Sequence, residues 1–251
     1  MKDLQAVLGI LTIINLLSGG NAYTAVTIDD GLVARYEFNG NALDSSGNGF
    51  NGSVNGAVLT SDRFGNSNSA YYFAGNGEHI SVSASPNLHS TGAWSSTVWF
   101  NFQAGGLYQP RILTNGTVDL VLTTTDGSPI AYAAGWNYHG IGTPYSLNAG
   151  TWYNMAAVCD GTYISLYLNG LFIATDSNAG GPPSAGFGTL GIGSNLHNNT
   201  DWYSGKIDEI RLYNRALTAL EVFQISNVPE PSSLSLLALG GLVVALRRRK
   251  K

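Results

Sequence analysis

The sequence predicts an all-β body built from two packed antiparallel sheets, and three observations carry that prediction. Thirty-two glycines, thirteen tyrosines and frequent Asn and Ser among 251 residues describe short strands joined by tight turns. Several segments alternate with a period of two, while no stretch of the body sustains a helical period. Cys159 is the single cysteine of the chain, so no intramolecular disulfide staples the fold and the sheets must supply its stability.

The elements follow from period and punctuation. Leu32, Ala34, Tyr36 and Phe38 alternate with Val33, Arg35 and Glu37 in a first strand that stops at Asn39-Gly40. Ala70 to Phe73 and His79 to Val82 flank Gly75-Asn76-Gly77 as strand, turn, strand. Trp94 to Phe102 is an aromatic strand, and Val118 to Thr123 and Ile130 to Ala134 form another pair. Trp152 to Val158 leads through Asp160-Gly161 into Tyr163 to Leu168, which turns at Asn169-Gly170 into Leu171 to Ala174. The final strand spans Lys206 to Tyr213. About a dozen strands of this kind suit two packed sheets. The exception is a short helical turn at Thr218 to Phe223, where Thr218 and Glu221 stand at the spacing of a capping box.

Both ends of the chain read as addresses rather than as parts of the body. Met1-Lys2 begins a positive segment, Ala6 to Leu17 is apolar apart from Gly9, Thr12 and Asn15, and Gly20-Asn21-Ala22 offers small residues to signal peptidase. A signal helix over 1–22, cleaved after Ala22 with Ala25 as a second position, is the expectation. At the other end, Val228-Pro229-Glu230-Pro231 breaks any preceding element. An apolar run, Leu234 to Leu246, follows, and then Arg247-Arg248-Arg249-Lys250-Lys251. The thirteen residues of this run cover about 20 Å of a hydrocarbon core about 30 Å thick, and the cations hold the helix end on the cytoplasmic side. This order resembles the PEP-CTERM sorting signal of bacterial surface proteins. The resemblance implies that Pro229, Glu230, Pro231 and the cluster Arg247, Arg248, Arg249 are recognised by an exosortase-type membrane protease. An ordinary tail anchor is the competing interpretation. The expected division is therefore a signal peptide at 1–22, a body at 23–226 and a sorting segment at 227–251. The protein is expected to be exported, tethered transiently to the inner membrane, and released to the cell surface or extracellular matrix.

Subtracting the ends changes the charge. The whole chain carries −4, but between residues 23 and 228 six cations face fourteen acids, a net of −8. Nucleic acid is an unsuitable partner for such a surface, whereas neutral sugars or calcium ions are compatible with it.

The segments Leu32 to Phe38, Asp44-Ser45-Ser46-Gly47-Asn48-Gly49, Trp152 to Gly170, and Gly205 to Leu217 carry a second resemblance. Together they are similar to the laminin-G-like jelly roll of the concanavalin A-like lectin and glucanase superfamily, across most of 31–223. The resemblance implies a two-sheet antiparallel jelly-roll sandwich, Trp99 and Trp152 in core positions, and a carbohydrate-binding or adhesive role. Some members of that family hold calcium at the sheet rim.

Two groups of residues are site candidates. Strict alternation puts Asp208 on one face of the last strand with Ile210 and Leu212, where a carboxylate needs a cation or several donors. The family topology pairs the first and last strands, which brings the Asp44 loop towards that strand. Asp44, Asp208 and loop carbonyls are then candidates for a calcium cage; alternatively, both aspartates cap backbone N–H groups in turns. The second group comprises Tyr108, Trp136, Asn137, Tyr138, Trp202 and Tyr203, aromatic and amide side chains in glycine-rich connections. Aromatic faces stack on sugar C–H patches and amide groups bind hydroxyls; loop aromatics also fold back to cover sheet ends.

Catalysis has weaker support. Glycosidases place two carboxyl groups within about 10 Å, and the body's glutamates, Glu37, Glu78, Glu209 and Glu221, show no Glu-x-Asp-x-Glu pattern. The four histidines lack metal spacing, and no Gly-x-Ser-x-Gly appears. The expected function is a non-catalytic surface module that binds extracellular polysaccharide. A purely structural matrix protein and a polysaccharide-active hydrolase or lyase are the alternatives.

Overall fold

The computed structural model describes residues 27–88, 92–104, 109–114, 119–125, 128–134, 140–144, 146–176, 188–196 and 199–227. The signal segment 1–22, Tyr108, Trp136, Asn137, Tyr138 and the sorting residues from Pro229 onward lie outside them. The chain divides into two units, Met1–Asp30 and Gly31–Lys251. The described part of the first is a turn in which the Asp30 carboxylate accepts hydrogen bonds from the Thr27 N–H and hydroxyl.

The second unit is a sandwich of two antiparallel sheets. Sheet A contains β1 (Leu32–Tyr36), β3 (Val58–Thr60), β4 (Ala70–Ala74), β6 (Trp94–Phe102), β11 (Trp152–Cys159), β12 (Ile164–Leu168), β13 (Leu171–Asp176) and β15 (Ser204–Tyr213). Their order is β13-β12-β11-β6-β15-β4-β3, with β1 also on β15. Sheet B contains β2 (Gly52–Asn55), β5 (His79–Val82), β7 (Arg111–Thr114), β8 (Asp119–Thr125), β9 (Ser128–Ala134), β10 (Gly140–Gly142) and β14 (Leu190–Ile192). Its order is β10-β9-β8-β7-β14-β5-β2.

Alternation fills the space between the sheets. In β6, Trp94, Val98, Phe100 and Phe102 enter the core, which places Ser95, Thr97, Trp99 and Asn101 on the other face. Met155, Ala157 and Cys159 of β11 and Ile164, Leu166 and Leu168 of β12 do the same beside them. Sheet B contributes Ile80, Ile112, Leu113, Leu120, Leu190 and Ile192. Each of the Val, Leu, Ile, Met and Phe side chains stabilises the sandwich by roughly 1.5–3 kcal/mol relative to exposure. Cys159 is one of these packing residues, and burial pushes its thiol pKa up.

Trp99 and Trp152 were expected in this core. They stand instead on the outer face of sheet A, each half-buried, because both fall on the polar phase of their strands. That face is covered in part by α1 (Ala219–Asn227), which buries Val222 and Ile225. The capping box forms: Glu221 accepts from the Thr218 N–H at 2.7 Å, and the Glu221 N–H donates to the Thr218 hydroxyl at 3.3 Å. The connection into α1 is pinned by Ser95, which donates to the Arg215 carbonyl and accepts from the Leu217 N–H. At its far end the helix meets the Asn169-Gly170 turn, where a Cβ on Gly170 would lie 2.2 Å from Ser226 Oγ.

One irregularity changes a sequence expectation. Along a single edge, β15 pairs with β4 through 204–207 and with β1 through 210–213. At the junction its register against β6 slips between Asp208 and Arg211, and Glu209 adopts φ 47°. The extra residue of this bulge reverses the phase. Ile207 therefore enters the core before it and Ile210 and Leu212 after it, which leaves Asp208 on the outer face rather than beside Ile210.

Candidate functional site

The two candidate metal ligands occupy separate networks. Asp44 Oδ1 accepts from the N–H groups of Arg35 and Ser46, and Oδ2 accepts from that of Phe50, all at 2.9–3.0 Å. Burial raises the Asp44 pKa, but these hydrogen bonds outweigh it and the net shift is downward. Arg35 turns both its N–H and its carbonyl towards 44–45, away from β15. Asp44 and Asp208 thus lie on opposite sides of β1.

Asp208 is almost fully buried, and Oδ2 meets the Arg63 guanidinium at 3.0 Å while Oδ1 accepts from the Glu209 N–H at 2.8 Å. Arg63 is also sandwiched, 4.5 Å from the Trp99 ring centroid and 4.4 Å from that of Phe64. Asp62 orders the loop that delivers it: its carboxylate accepts from the N–H groups of Phe64 and Asn66. The bulge, which a strict period of two conceals, is what aims Asp208 at Arg63. Among the described residues no group of three or more His, Cys, Asp or Glu side chains is placed to hold a metal ion.

Trp202 and the described flanks of the Trp136 segment also separate. Strand register puts Ala74, Phe102, Trp152 and Ser204 at one end of the sandwich, together with the start of β5 and β7 and the end of β14. Trp202 and Gln109 belong to this end. The opposite end of sheet B carries Thr114, Asp119, Ala134 and Gly140, which pair in one row. Ala134 and Gly140 flank the segment containing Trp136, Asn137 and Tyr138. Arg111, whose N–H donates to the Asp201 carbonyl, shares a row with Val121 and Tyr132, three residues along β7 or about 10 Å from the row of Thr114, so the flanks of this segment and Trp202 belong to opposite ends of β7.

Tyr203 corrects a further expectation. It is fully buried, packs edge-to-face on Phe73 with ring centroids 6.2 Å apart, and donates from its hydroxyl to the Lys206 carbonyl at 3.3 Å. Burial holds its pKa well above the ordinary tyrosine value. Its position next to Trp202 in an extended segment sends the two rings to opposite sides, and Tyr203 takes the inward one.

Trp202 itself is half-buried, with its ring beside the turn at Gly77. Its indole Nε1 is shielded from bulk water and makes no hydrogen bond. Around it stand residues that the sequence did not single out. Arg111 Nε lies 3.5 Å from the Asp201 carboxylate, the Arg111 N–H donates to the Asp201 carbonyl at 2.8 Å, and Asn195 Nδ2 donates to Asp201 Oδ2 at 3.3 Å. Non-glycine residues with positive φ cluster at this rim: Gln109 (55°), Asn199 (52°) and Asp201 (58°). Such backbone is held in place by its surroundings and collects at ligand-binding loops. The Asn-rich stretch 195–201 was the sequence signal for it, since Asn and Asp tolerate left-handed backbone. The chemistry available here is the exposed part of an aromatic ring and an ion pair with an amide neighbour, suited to hydroxyl-rich ligands.

The glutamates serve structure. Glu37 pairs with Arg35, Glu209 with Arg211 and Glu221 with Arg215, while Glu78 accepts from the Asn76 N–H.

Comparison with known proteins agrees with this architecture. The family described as the concanavalin A-like lectin/glucanases superfamily, of the laminin-G type, matches residues 73–223, and the PEP-CTERM protein-sorting motif matches 227–250. No curated protein matches significantly. Among solved structures, domain 4 of AbnA, an extracellular arabinanase from Geobacillus stearothermophilus solved with arabinotriose, superposes with a TM-score of 0.65 at 20% identity. That match covers 78% of this chain and 98% of that domain. The binding domain of Paraclostridial Mosquitocidal Protein 1 gives 0.62 at 18% identity, covering 80% of this chain and 53% of the other. That of botulinum neurotoxin serotype D/C gives 0.61 at 14%, with the same coverages. At such identities the likeness concerns fold alone. The chain belongs to the concanavalin A-like lectin/glucanases superfamily, and its PEP-CTERM motif makes it an exported protein, transiently anchored in the membrane and delivered to the cell surface or beyond.

Proposed function

We propose that this protein is a non-catalytic carbohydrate-binding module of the extracellular layer, which meets its glycan at the rim around Trp202. The observation that carries the proposal is the half-buried Trp202 ring at a rim whose left-handed residues Gln109, Asn199 and Asp201 accompany the polar cluster of Arg111, Asp201 and Asn195. The lectin-like fold supports it, as does the similarity to an arabinanase domain solved with arabinotriose. Engagement of every described body glutamate in an ion pair or turn favours binding over hydrolysis. The sorting motif supplies the partner for maturation, an exosortase-type protease, and the extracellular location where polysaccharide is met. Titration of the full chain with arabino-oligosaccharides, alongside a glycan array, tests the proposal. Binding that weakens about tenfold or more in Trp202→Ala supports it; unchanged binding, or saccharide release by the wild type, contradicts it.

Calcium is a separate question with its own test. Asp44 and Asp208 act in this account through N–H groups and Arg63, so a chelator is expected to leave the melting temperature unchanged. A fall of several degrees would restore a role for calcium in the fold.

A further inference from the structure

Exposed apolar side chains gather where edge strand β13 meets α1. Leu171 and Phe172, on edge strand β13, are 63% and 56% exposed, and Leu220 and Phe223 of α1 are 65% and 47% exposed. The two elements abut: a Cβ on Gly170 would lie 3.1 Å from the Phe223 Cα. Phe172 is braced by Tyr167, edge-to-face at 5.7 Å. Neither the hairpin 168–173 nor α1 presents a free charge, since Glu221, the single ionisable residue of either, is buried against Arg215 and Thr218. An uncharged apolar face on a body of net charge −8 is a local departure that calls for a partner.

The chain length beyond α1 identifies that partner. Six residues, 228–233, separate Asn227 from the apolar run at Leu234, and fully extended they reach about 20 Å. While the run is inserted, the end of α1 is confined to the immediate neighbourhood of the lipid surface. We propose that Phe172, Leu220 and Phe223 form a membrane-resting face, with Leu171 at its margin, on which the jelly roll lies against the bilayer until the sorting segment is cut. The absence of free charge removes the electrostatic penalty that the acidic remainder of the body would meet at an anionic surface, and the aromatic pair suits the interfacial region. This keeps the junction at Pro229-Glu230-Pro231 close to the plane in which a membrane protease works.

The test uses the full chain reconstituted in vesicles of phosphatidylethanolamine and phosphatidylglycerol. Nitroxide labels are placed through Phe172→Cys, Leu220→Cys or, as reference, Val58→Cys on β3 at the other edge of sheet A, where exposure is similar at 56%. Cys159 is buried. Collisions with a water-soluble nickel chelate are expected to fall at least about threefold at 172 and 220 relative to 58. The protection at 172 is expected to be lost when Leu220→Ser and Phe223→Ser are added. Equal collision rates at all three positions would overturn the proposal. Protection that depends on protein concentration rather than on lipid would also overturn it and would assign the face to a second copy of the chain.

Discussion

Arg63 and Asp208 set the sharpest energetic test at the level of single residues. Both side chains are nearly withdrawn from water, 9% and 1% exposed. Removing the cation leaves a buried carboxylate uncompensated, so Arg63→Met is expected to cost about 3–5 kcal/mol in denaturant unfolding, and Arg63→Met with Asp208→Leu much less. A cost below about 1 kcal/mol for the single change would show that water screens the pair. Asp44 makes a pH prediction. Its folded pKa lies below the ordinary carboxylate value because its three N–H partners outweigh burial. The stability it contributes is therefore complete above about pH 4 and is lost as pH falls through the folded-state value. Acid unfolding of Asp44→Asn is expected to show a shallower dependence over that window. The Asp44 loop was legible because Asp-Ser-Ser-Gly is turn chemistry, and the capping alternative is the geometry observed. The environment of Asp208 was illegible because one residue of bulge at Glu209 inverts every inference from alternation.

Among elements, α1 was visible through its capping box and is stabilised as that pattern implies. Thr218→Ala is expected to cost about 1 kcal/mol, read as a lower melting temperature. Gly170→Ala is expected to do more, because Gly170 combines φ 78° with a Cβ position that Ser226 already occupies. Hydrogen exchange over 219–227 should rise in that variant while β6 and β11 stay protected; uniform loss of protection would mean that helix docking is not a separable step. The long strands were read almost to the residue, β6 as Trp94–Phe102 and β11 to within one residue of Trp152–Cys159, while the four-residue β5 was found through the Gly75-Asn76-Gly77 turn before it. The strands β2, β3, β7, β10 and β14 were not, since three or four residues carry too little period to separate them from a loop. Two of these, β7 and β14, lead into the Trp202 rim. The rim therefore could not be assembled from the sequence, and Trp202 stood in one group with residues whose described flanks, Ala134 and Gly140, pair in a row at the other end of β7.

For the whole molecule, address and body are legible to different degrees. The tail is a linear message, recognised from proline, apolar and arginine residues in order, and needs no fold to be read. The body's ligand chemistry depends on which loops the sheets bring together, and that is written in the register of long-range pairs such as Gly205 with Phe102 and Ile192 with Ile80. The sorting motif puts the ligand outside the inner membrane and the acidic body disfavours nucleic acid; the proposed ligand is accordingly hydroxyl-rich and weakly charged. The most direct measurement is a binding isotherm of the full chain against arabino-oligosaccharides at neutral pH, run beside Trp202→Ala. Saturable binding by the wild type, weakened about tenfold or more by the substitution with the melting temperature retained, is the expected result. No binding to any glycan, or equal binding by both proteins, would contradict a sugar site at this rim.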